Sequence, residues 1–125
     1  MPIREGAIRC AANIRCIILD VDGVLTDGRI YVAPDGRELC KPFFVRDGLI
    51  ITLARKVGLT TAIITGRTSE MVASRAKELH IELIYQGSLD KRAAYRDIKE
   101  RTGLADKELA YVGDDIVDLP ILQQV

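Results

Sequence analysis

The chain has 125 residues and carries 18 basic residues, Lys and Arg together, against 18 acidic ones. This length suits one domain with one core, and because the basic residues are scattered, the charge pattern argues against a nucleic-acid-binding or anionic-membrane-binding protein. Residues 1–15 contain no continuous apolar core of a signal peptide, and no apolar run approaches the roughly 18 residues of a membrane span, so we expect a soluble protein.

The cysteines indicate the redox state of the cellular compartment. Cys10, Cys16 and Cys40 are an odd number without paired metal-ligand spacing, which is typical of free thiols. Cys16 falls in a predicted buried strand, where a thiol acts as a small hydrophobe. We therefore expect a reducing compartment, the cytoplasm.

The first predicted elements are a short helix and a buried strand. Helical spacing over the first 14 residues predicts a short helix packed beside that strand, with an apolar stripe of Ile3, Ala7, Ala11 and Ile14. Residues 16–19 form an apolar run that is long enough for one buried strand and too short for a helix.

A β-hairpin is predicted next, as a flap over residues 29–45. Its arms, residues 29–33 and 38–45, flank the turn signal Pro34-Asp35-Gly36. Pro42 cannot donate to a strand ladder, so the second arm should be an edge strand or carry a bulge. Because a two-stranded ribbon alone is marginal in water, its apolar side chains need another surface, such as another subunit.

Strands and helices then alternate along the chain. Further strands are predicted at residues 60–65, 82–85 and 109–112. Asp47 is predicted to cap a helix that Gly58 ends, and its inward stripe is predicted to be Leu49, Ile50, Leu53, Ala54 and Val57. Thr68 or Ser69 should cap the next helix, whose inward residues are predicted to be Met71, Val72, Ala76 and Leu79.

Two helices are predicted in the last part of the chain. Asp90 should cap a helix that runs to about Thr102 and is closed by Gly103. Pro120 suits the first position of a final helix after an Asp118 cap. That helix has fewer than two turns before residue 125, so we expect the chain to be truncated at its C-terminus.

This alternation predicts an α/β fold, a single doubly wound, mostly parallel Rossmann-like sheet with helices on both faces. The β-hairpin flap, at about residues 29–45, is expected to lie outside that sheet. In such folds ligands bind at the carboxyl ends of the strands. Asp20 and Asp22 follow the first strand directly, which places an acidic pair where chemistry usually occurs.

The polar clusters at the strand ends carry a family resemblance. In chain order they are Asp20 and Asp22; Thr65-Gly66-Arg67; Asp90-Lys91; and Gly113-Asp114-Asp115 with Asp118. Together they resemble the four motifs of the haloacid dehalogenase superfamily of phosphohydrolases. The resemblance spans residues 15 to 122, and four motifs in the correct order at strand ends are highly specific.

A narrower resemblance follows from the absence of room for a cap domain. The matching segments are Asp-Val-Asp-Gly-Val-Leu-Thr-Asp-Gly, Phe-Val-Arg-Asp-Gly, Ile-Ile-Thr-Gly-Arg, Tyr-Gln-Gly and Gly-Asp-Asp. They resemble the capless 3-deoxy-D-manno-octulosonate 8-phosphate phosphatase family, with the hairpin in place of a cap domain. The resemblance implies a Mg²⁺-dependent homotetramer that acts on a sugar phosphate in lipopolysaccharide precursor synthesis.

The resemblance also implies roles for individual residues. Asp20 would be the nucleophile and Asp22 the general acid and base, while Lys91, Thr65 and Gly66 would bind the phosphoryl group. Mg²⁺ would be held by Asp20, the main-chain carbonyl of Asp22, and Asp114. Asp115 and Asp118 would orient Lys91 or metal-bound water. Arg67 has two open interpretations, a surface ion pair and a ligand for a substrate carboxylate.

Simpler structural interpretations apply to other residues. Asp27 is expected in a turn and Asp47 at a helix cap, and His80 is expected to face solvent. The aromatic side chains of Tyr31, Phe43 and Phe44 are expected to serve packing. Three alternatives to the leading function stay open: a phosphatase for a nine-carbon sugar acid 9-phosphate, a phospho-acceptor signalling module, and an inactive subunit that assembles through its hairpin.

Overall fold

The apolar run after residue 15 forms the centre of a parallel sheet in the computed structural model, which describes residues 5–125. Strand β1 (Cys16–Leu19) pairs in parallel with β4 (Thr60–Ile64) on one side and with β6 (Leu109–Val112) on the other. β5 (Leu83–Tyr85) pairs with β4, which gives the strand order β5-β4-β1-β6. The predicted parallel α/β fold is confirmed.

The other elements occur in the predicted order. Within residues 5–125 they are a hairpin of β2 (Tyr31–Val32) and β3 (Glu38–Cys40), and the helices α1 (Glu5–Ala11), α2 (Val45–Lys56), α3 (Glu70–Glu78), α4 (Lys91–Thr102) and α5 (Leu119–Leu122). Short 3₁₀ turns lie at Asp106–Glu108 and Ile116–Asp118. Among these helices none has the length and apolar character needed to cross a membrane.

Alternating side chains of the strands build one core on each face of the sheet. On one face Ile18 and Ile64 pack with Tyr95 and Ile98 of α4 and with Ile121 of α5. On the opposite face the sheet and the loop after β1 pack against α2 and α3 through Val21, Leu25, Ile51, Ile63, Val72, Ala76 and Leu79. Helices therefore cover both faces, as the alternation predicted.

The predicted inward stripe of α2 is wrong. Leu49, Ile50, Leu53 and Val57 are exposed, and the helix buries Gly48 and Ile51 instead. Apolar residues surround most of this helix, so periodicity alone could not identify the face that packs. The N-cap is Phe44, without a side-chain hydrogen bond, and Asp47 lies in the first turn.

The N-terminal helix also differs from the prediction. α1 buries none of its residues, and Ala7 and Ala11 are exposed, so it does not pack beside β1. Ile3 of the predicted stripe lies outside the described residues. At the other end Pro120 occupies the first turn of α5, but the side chain of Asp118 makes no cap hydrogen bond there.

The hairpin is shorter than predicted. Its second strand ends at Cys40, before Pro42, and the irregularity in its register lies in the first strand, between Tyr31 and Val32. The helix caps were predicted better: Ser69 caps α3, Asp90 caps α4, and Gly103 closes α4 in a left-handed conformation.

Candidate active site

Polar side chains from several elements surround one cavity at the carboxyl edge of the sheet. Asp20 and Asp22 follow β1, Thr65 follows β4, Asp114 follows β6, and Lys91 is the first residue of α4. The cavity has a volume of about 320 Å³, and its lining consists of Asp20, Asp22, Gly28, Ile30, Thr65, Gly66, Arg67, Lys91, Asp114, Asp115 and Val117. Neighbouring parallel strands bring their ends together here, so residues up to 97 positions apart share one site.

A buried lysine links two carboxylates in the floor of the cavity. Lys91 is 2% exposed, and its Nζ donates to Oδ2 of Asp20 at 2.7 Å and to Oδ1 of Asp118 at 2.6 Å. The Tyr111 hydroxyl accepts from the same Nζ at 3.3 Å and donates to Asp118. Asp118 therefore lies beside Lys91, as expected of a residue that orients it.

Burial and hydrogen bonding act in opposite directions on these groups. Burial raises the pKa of Asp20 and outweighs the hydrogen bonds from Lys91 and the Val21 amide. Burial also opposes ionisation of Asp118, but its hydrogen bonds from Lys91 and Tyr111 hold the pKa of that carboxyl below its ordinary value. Burial, together with the neighbouring Asp118 carboxylate, raises the pKa of Tyr111.

Two glycines make room for the carboxylates that follow β6. Gly23 adopts a φ of +86°, and a Cβ at this position would overlap the carboxylate of Asp114. A Cβ on Gly113 would meet the carboxylate of Asp118 in the same way. Any side chain at either position would displace an acidic residue of the site.

Three carboxylates are close enough together to share a cation. Asp20, Asp114 and Asp118 each offer an oxygen within 4.8 Å of the others. Asp118 already accepts hydrogen bonds from Lys91, Tyr111 and the main-chain amides of Asp114 and Asp115. This leaves Asp20 and Asp114, two of the three predicted ligands, as the carboxylates with oxygen atoms available for a hard cation such as Mg²⁺.

The three residues that follow β4, Thr65, Gly66 and Arg67, lie at the cavity wall. Thr65 is buried, and its amide donates to the Tyr85 carbonyl at 2.9 Å, which fixes the loop against β5. Gly66 and Arg67 line the same cavity. Arg67 is exposed and makes no ion pair within residues 5–125, so it does not form the surface ion pair that was one interpretation.

Asp115 lines the cavity but makes no hydrogen bond with Lys91 within residues 5–125. Its Oδ1 accepts from the Ile116 amide at 2.6 Å, so this side chain caps the following 3₁₀ turn. Of the two residues expected to orient Lys91 or metal-bound water, Asp118 is the one that contacts Lys91 within residues 5–125.

Sequence reasoning missed Lys41, Glu38 and Tyr111. Nζ of Lys41 donates to Oδ1 of Asp22 at 2.6 Å and lies 2.9 Å from Oε1 of Glu38. A signal was present at Lys41, because it is a charged residue directly before the apolar segment of residues 42–45. Tyr111 is one of four apolar-looking residues of β6, and nothing in the local pattern marked its hydroxyl.

The simpler structural expectations hold for two residues. Asp27 accepts from the Arg29 amide at 3.1 Å within a turn, and His80 is exposed after α3. Phe43 packs on the core, whereas Phe44 is 58% exposed and Tyr31 is 38% exposed. Packing within this chain therefore accounts for Phe43 alone among the three aromatic residues.

The chain was compared with known proteins. No family model matches it. It is 45% identical over 124 residues, 99% of its length, to the 3-deoxy-D-manno-octulosonate 8-phosphate phosphatase KdsC of Escherichia coli strain K12, and it spans 65% of the length of that protein.

Solved structures agree with this similarity. A 3-deoxy-D-manno-octulosonate 8-phosphate phosphatase from Yersinia pestis superposes with a TM-score of 0.95 at 43% identity, over 99% of this chain and 66% of that one. The same phosphatase from Moraxella catarrhalis, in complex with a magnesium ion, a phosphate ion and KDO, gives a TM-score of 0.91 at 40% identity, over 98% of this chain and 70% of that one. With the four strand-end clusters gathered at one cavity, these similarities show that the chain belongs to the 3-deoxy-D-manno-octulosonate 8-phosphate phosphatase family of the haloacid dehalogenase superfamily.

Proposed function

We propose that the protein is a Mg²⁺-dependent phosphatase that hydrolyses the phosphomonoester of an eight-carbon sugar acid, 3-deoxy-D-manno-octulosonate 8-phosphate, in lipopolysaccharide precursor synthesis. The observation that carries the proposal is the contact of Lys91 with Asp20 at the floor of a cavity that Asp22, Thr65 and Asp114 also line. A carboxylate nucleophile, a buried cation and an acidic pair are the parts that phosphoryl transfer through an aspartyl-phosphate requires.

The reaction has two displacements. In the first, a carboxylate oxygen of Asp20 forms a bond to phosphorus, the ester P–O bond breaks, and protonated Asp22 gives its proton to the departing sugar oxygen. In the second, ionised Asp22 takes a proton from water, the water oxygen bonds to phosphorus, and the aspartyl-phosphate P–O bond breaks. Inorganic phosphate leaves, and both carboxyl groups return to their starting states.

Charge repulsion makes cations necessary in this site. Two unit charges 4 Å apart repel by about 4 kcal/mol at an effective dielectric constant of 20, so a carboxylate that meets a phosphate dianion faces about 8 kcal/mol. Lys91 offsets part of this repulsion from its position beside Asp20. Thr65 and Gly66 line the cavity, and the hydroxyl of Thr65 and the amide of Gly66 are groups suited to bind phosphoryl oxygens.

The donor set fits a magnesium ion. Asp20 and Asp114, with the main-chain carbonyl of Asp22, would supply the oxygen ligands that Mg²⁺ prefers. When bound, the ion neutralises charge on the phosphoryl oxygens. The Moraxella catarrhalis relative, whose structure contains magnesium, phosphate and KDO, supports both the metal and the substrate class. For the substrate carboxylate we propose Arg67, because this residue lines the cavity and its guanidinium makes no ion pair within residues 5–125.

We also propose self-association into a homotetramer, in the cytoplasm. Exposed apolar side chains of the hairpin and of α2 support the assembly, because they would gain by burial against other subunits. The free thiols of Cys10, Cys16 and Cys40 support a reducing compartment.

The test is a phosphate-release assay over eight- and nine-carbon sugar acid phosphates, with and without Mg²⁺. We expect turnover that requires Mg²⁺ and is fastest with the eight-carbon 8-phosphate. Preference for a nine-carbon 9-phosphate would correct the substrate, and a stable phosphoprotein after acetyl phosphate treatment, without turnover, would favour the signalling alternative.

Asp20→Asn tests the nucleophile in the same assay. We expect phosphate release to fall by at least about three orders of magnitude, since the amide cannot attack phosphorus. The matched control is Asp97→Asn on α4. It alters a carboxylate that accepts a hydrogen bond from the Tyr85 hydroxyl, and it should leave turnover unchanged. Substantial turnover by a folded Asp20→Asn variant would overturn the assignment.

A further inference from the structure

Lys41 is a buried lysine that the mechanism above does not use. It lies directly after β3, its side chain is 2% exposed, and its Nζ is enclosed between the carboxylates of Asp22 and Glu38. Burying an ammonium group is costly unless opposite charges and hydrogen bonds compensate. Here two carboxylates supply that compensation, which makes the contact an ordered one.

Glu38 fixes the other side of this lysine. Its Oε1 lies 2.9 Å from Nζ of Lys41, while its Oε2 accepts a hydrogen bond from the hydroxyl of Ser69. Ser69 is the N-cap of α3, and its amide donates to Oε1 of Gln86 at 2.7 Å, just after β5. The chain of contacts therefore runs from Asp22 through the hairpin to the loop that begins at Thr65.

These contacts also attach the hairpin to the rest of the molecule. Within residues 5–125, residues 29–41 make hydrogen bonds to the rest of the chain through Arg29 to the adjacent Asp27, and over longer separations through Lys41 to Asp22 and Ser69 to Glu38. Tyr31, Val32 and Leu39 are exposed, so apolar packing within this chain adds little. The attachment of the hairpin and the orientation of Asp22 thus depend on the same two residues, Lys41 and Glu38.

We propose that Lys41 is a positioning residue for Asp22, held by Glu38, so that the hairpin fixes the proton-transfer carboxylate of the site. Oδ1 of Asp22 accepts a hydrogen bond from Nζ of Lys41. Oδ2 of Asp22 has no hydrogen-bond partner within residues 5–125, so this oxygen is available to the leaving oxygen of the substrate. This inference rests on the proposed function for its kinetic consequence, and on geometry alone for its structural one.

The kinetic experiment uses Lys41→Met, which removes the positive charge but keeps a side chain of similar length. Because general acid–base catalysis contributes about 10²–10⁴ in rate, we expect kcat to fall about tenfold to a hundredfold, with KM changed less than about threefold. Lys41→Arg, which keeps the charge, should recover part of kcat. The control is Lys99→Met, which breaks an ion pair with Asp106 away from the cavity and should leave kcat unchanged.

The structural experiment does not need turnover. Hydrogen–deuterium exchange, read by mass spectrometry on the full chain, should show amides of residues 31–40 exchanging at least about tenfold faster in Lys41→Met and in Asp22→Asn, but not in Lys99→Met. If Lys41→Met does not fold, Glu38→Gln serves both experiments, with the same direction and a smaller effect.

The outcomes separate the two proposals. Wild-type protein that releases no phosphate overturns the proposed function, while faster hairpin exchange in Lys41→Met still supports the link to Asp22. An active wild type whose Lys41→Met variant keeps full kcat overturns the positioning role. Unchanged hairpin exchange in both Lys41→Met and Asp22→Asn overturns the inference as a whole.

Discussion

Buried ionisable side chains cluster at the carboxyl edge of the sheet. Lys91 and Asp118 are almost fully enclosed, and each would be strongly destabilising without the other. Replacing such a pair by apolar residues often leaves stability unchanged or improves it, so packing alone does not account for its presence. The proposed catalytic role of Lys91 would account for it, because Lys91 also contacts Asp20.

Cys16 gives a residue-scale prediction about pH. Burial raises the pKa of its thiol from 9.0 to about 11. In the unfolded chain the thiol ionises near 9.0, so between pH 9 and 11 the folded state holds a proton that the unfolded state has lost. Stability from this group is therefore complete below pH 9 and is lost as pH rises toward 11, by about 2–3 kcal/mol in total.

Urea unfolding at pH 8, 9, 10 and 11 measures this loss. Cys16→Ala should be less stable at pH 8, because it leaves a small cavity, but should lose less stability than the wild type between pH 9 and 11. Ionisation of the tyrosines changes the stability of both proteins by the same amount over this pH range. Identical pH dependence in the two proteins would contradict the prediction.

Helix ends show how local sequence fixes an element. After α2, the Gly58 amide donates to the Arg55 carbonyl and the Leu59 amide to the Ala54 carbonyl, which closes the helix in a Schellman motif with Gly58 at a φ of +85°. α3 ends in the same hydrogen-bond pattern, but His80 occupies the left-handed position, at a φ of 57°. A side chain in this conformation is strained by roughly 1–2 kcal/mol.

His80→Gly should therefore stabilise the protein. Relief of the strain exceeds the extra entropy of glycine in the unfolded chain, and we expect a gain of about 0.5–1 kcal/mol in the free energy of unfolding. Gly58→Ala is the matched control at the equivalent position and should lose about 1 kcal/mol. Chemical denaturation at neutral pH measures both, and a loss of stability in His80→Gly would contradict this account.

At the scale of the whole molecule, the hairpin and α2 are among the elements that expose large apolar side chains. Val32 is 53% exposed and Leu39 is 59% exposed, while Leu49 and Ile50 of α2 are exposed to a similar extent. A protein with equal numbers of acidic and basic residues has little net repulsion between copies. Both features favour self-association.

Light scattering tests this at the scale of the assembly. The chain has a mass of 13.8 kDa, and we expect a particle of about four times this mass. Leu39→Lys should shift the protein toward smaller species, because a charge in a buried interface is costly. Ile8→Lys, an equivalent change on the exposed helix α1, should not. A monomer for the wild type would overturn the tetramer.

Much of the architecture could be predicted from local pattern. Short apolar runs give the strands of the sheet, glycines after Val57 and Thr102 mark two helix ends, and Ser69 and Asp90 mark two helix starts. The outward face of α2 could not be predicted, because a helix that is apolar around most of its circumference does not specify which side packs. Helix α1 was predicted, but its packing beside β1 was wrong for the related reason that periodicity does not guarantee a partner surface.

The sequence by itself determined the parallel α/β order and the acidic, threonine and lysine residues at the strand ends, because these depend on local periodicity and on the convergence of parallel strands. Only the tertiary structure placed Lys41 against Asp22, Tyr111 against Lys91, and the carboxylate of Asp114 in the space beside Gly23. Those contacts join residues 19 to 91 positions apart, and the distance between such side chains is set by the packing of the whole chain.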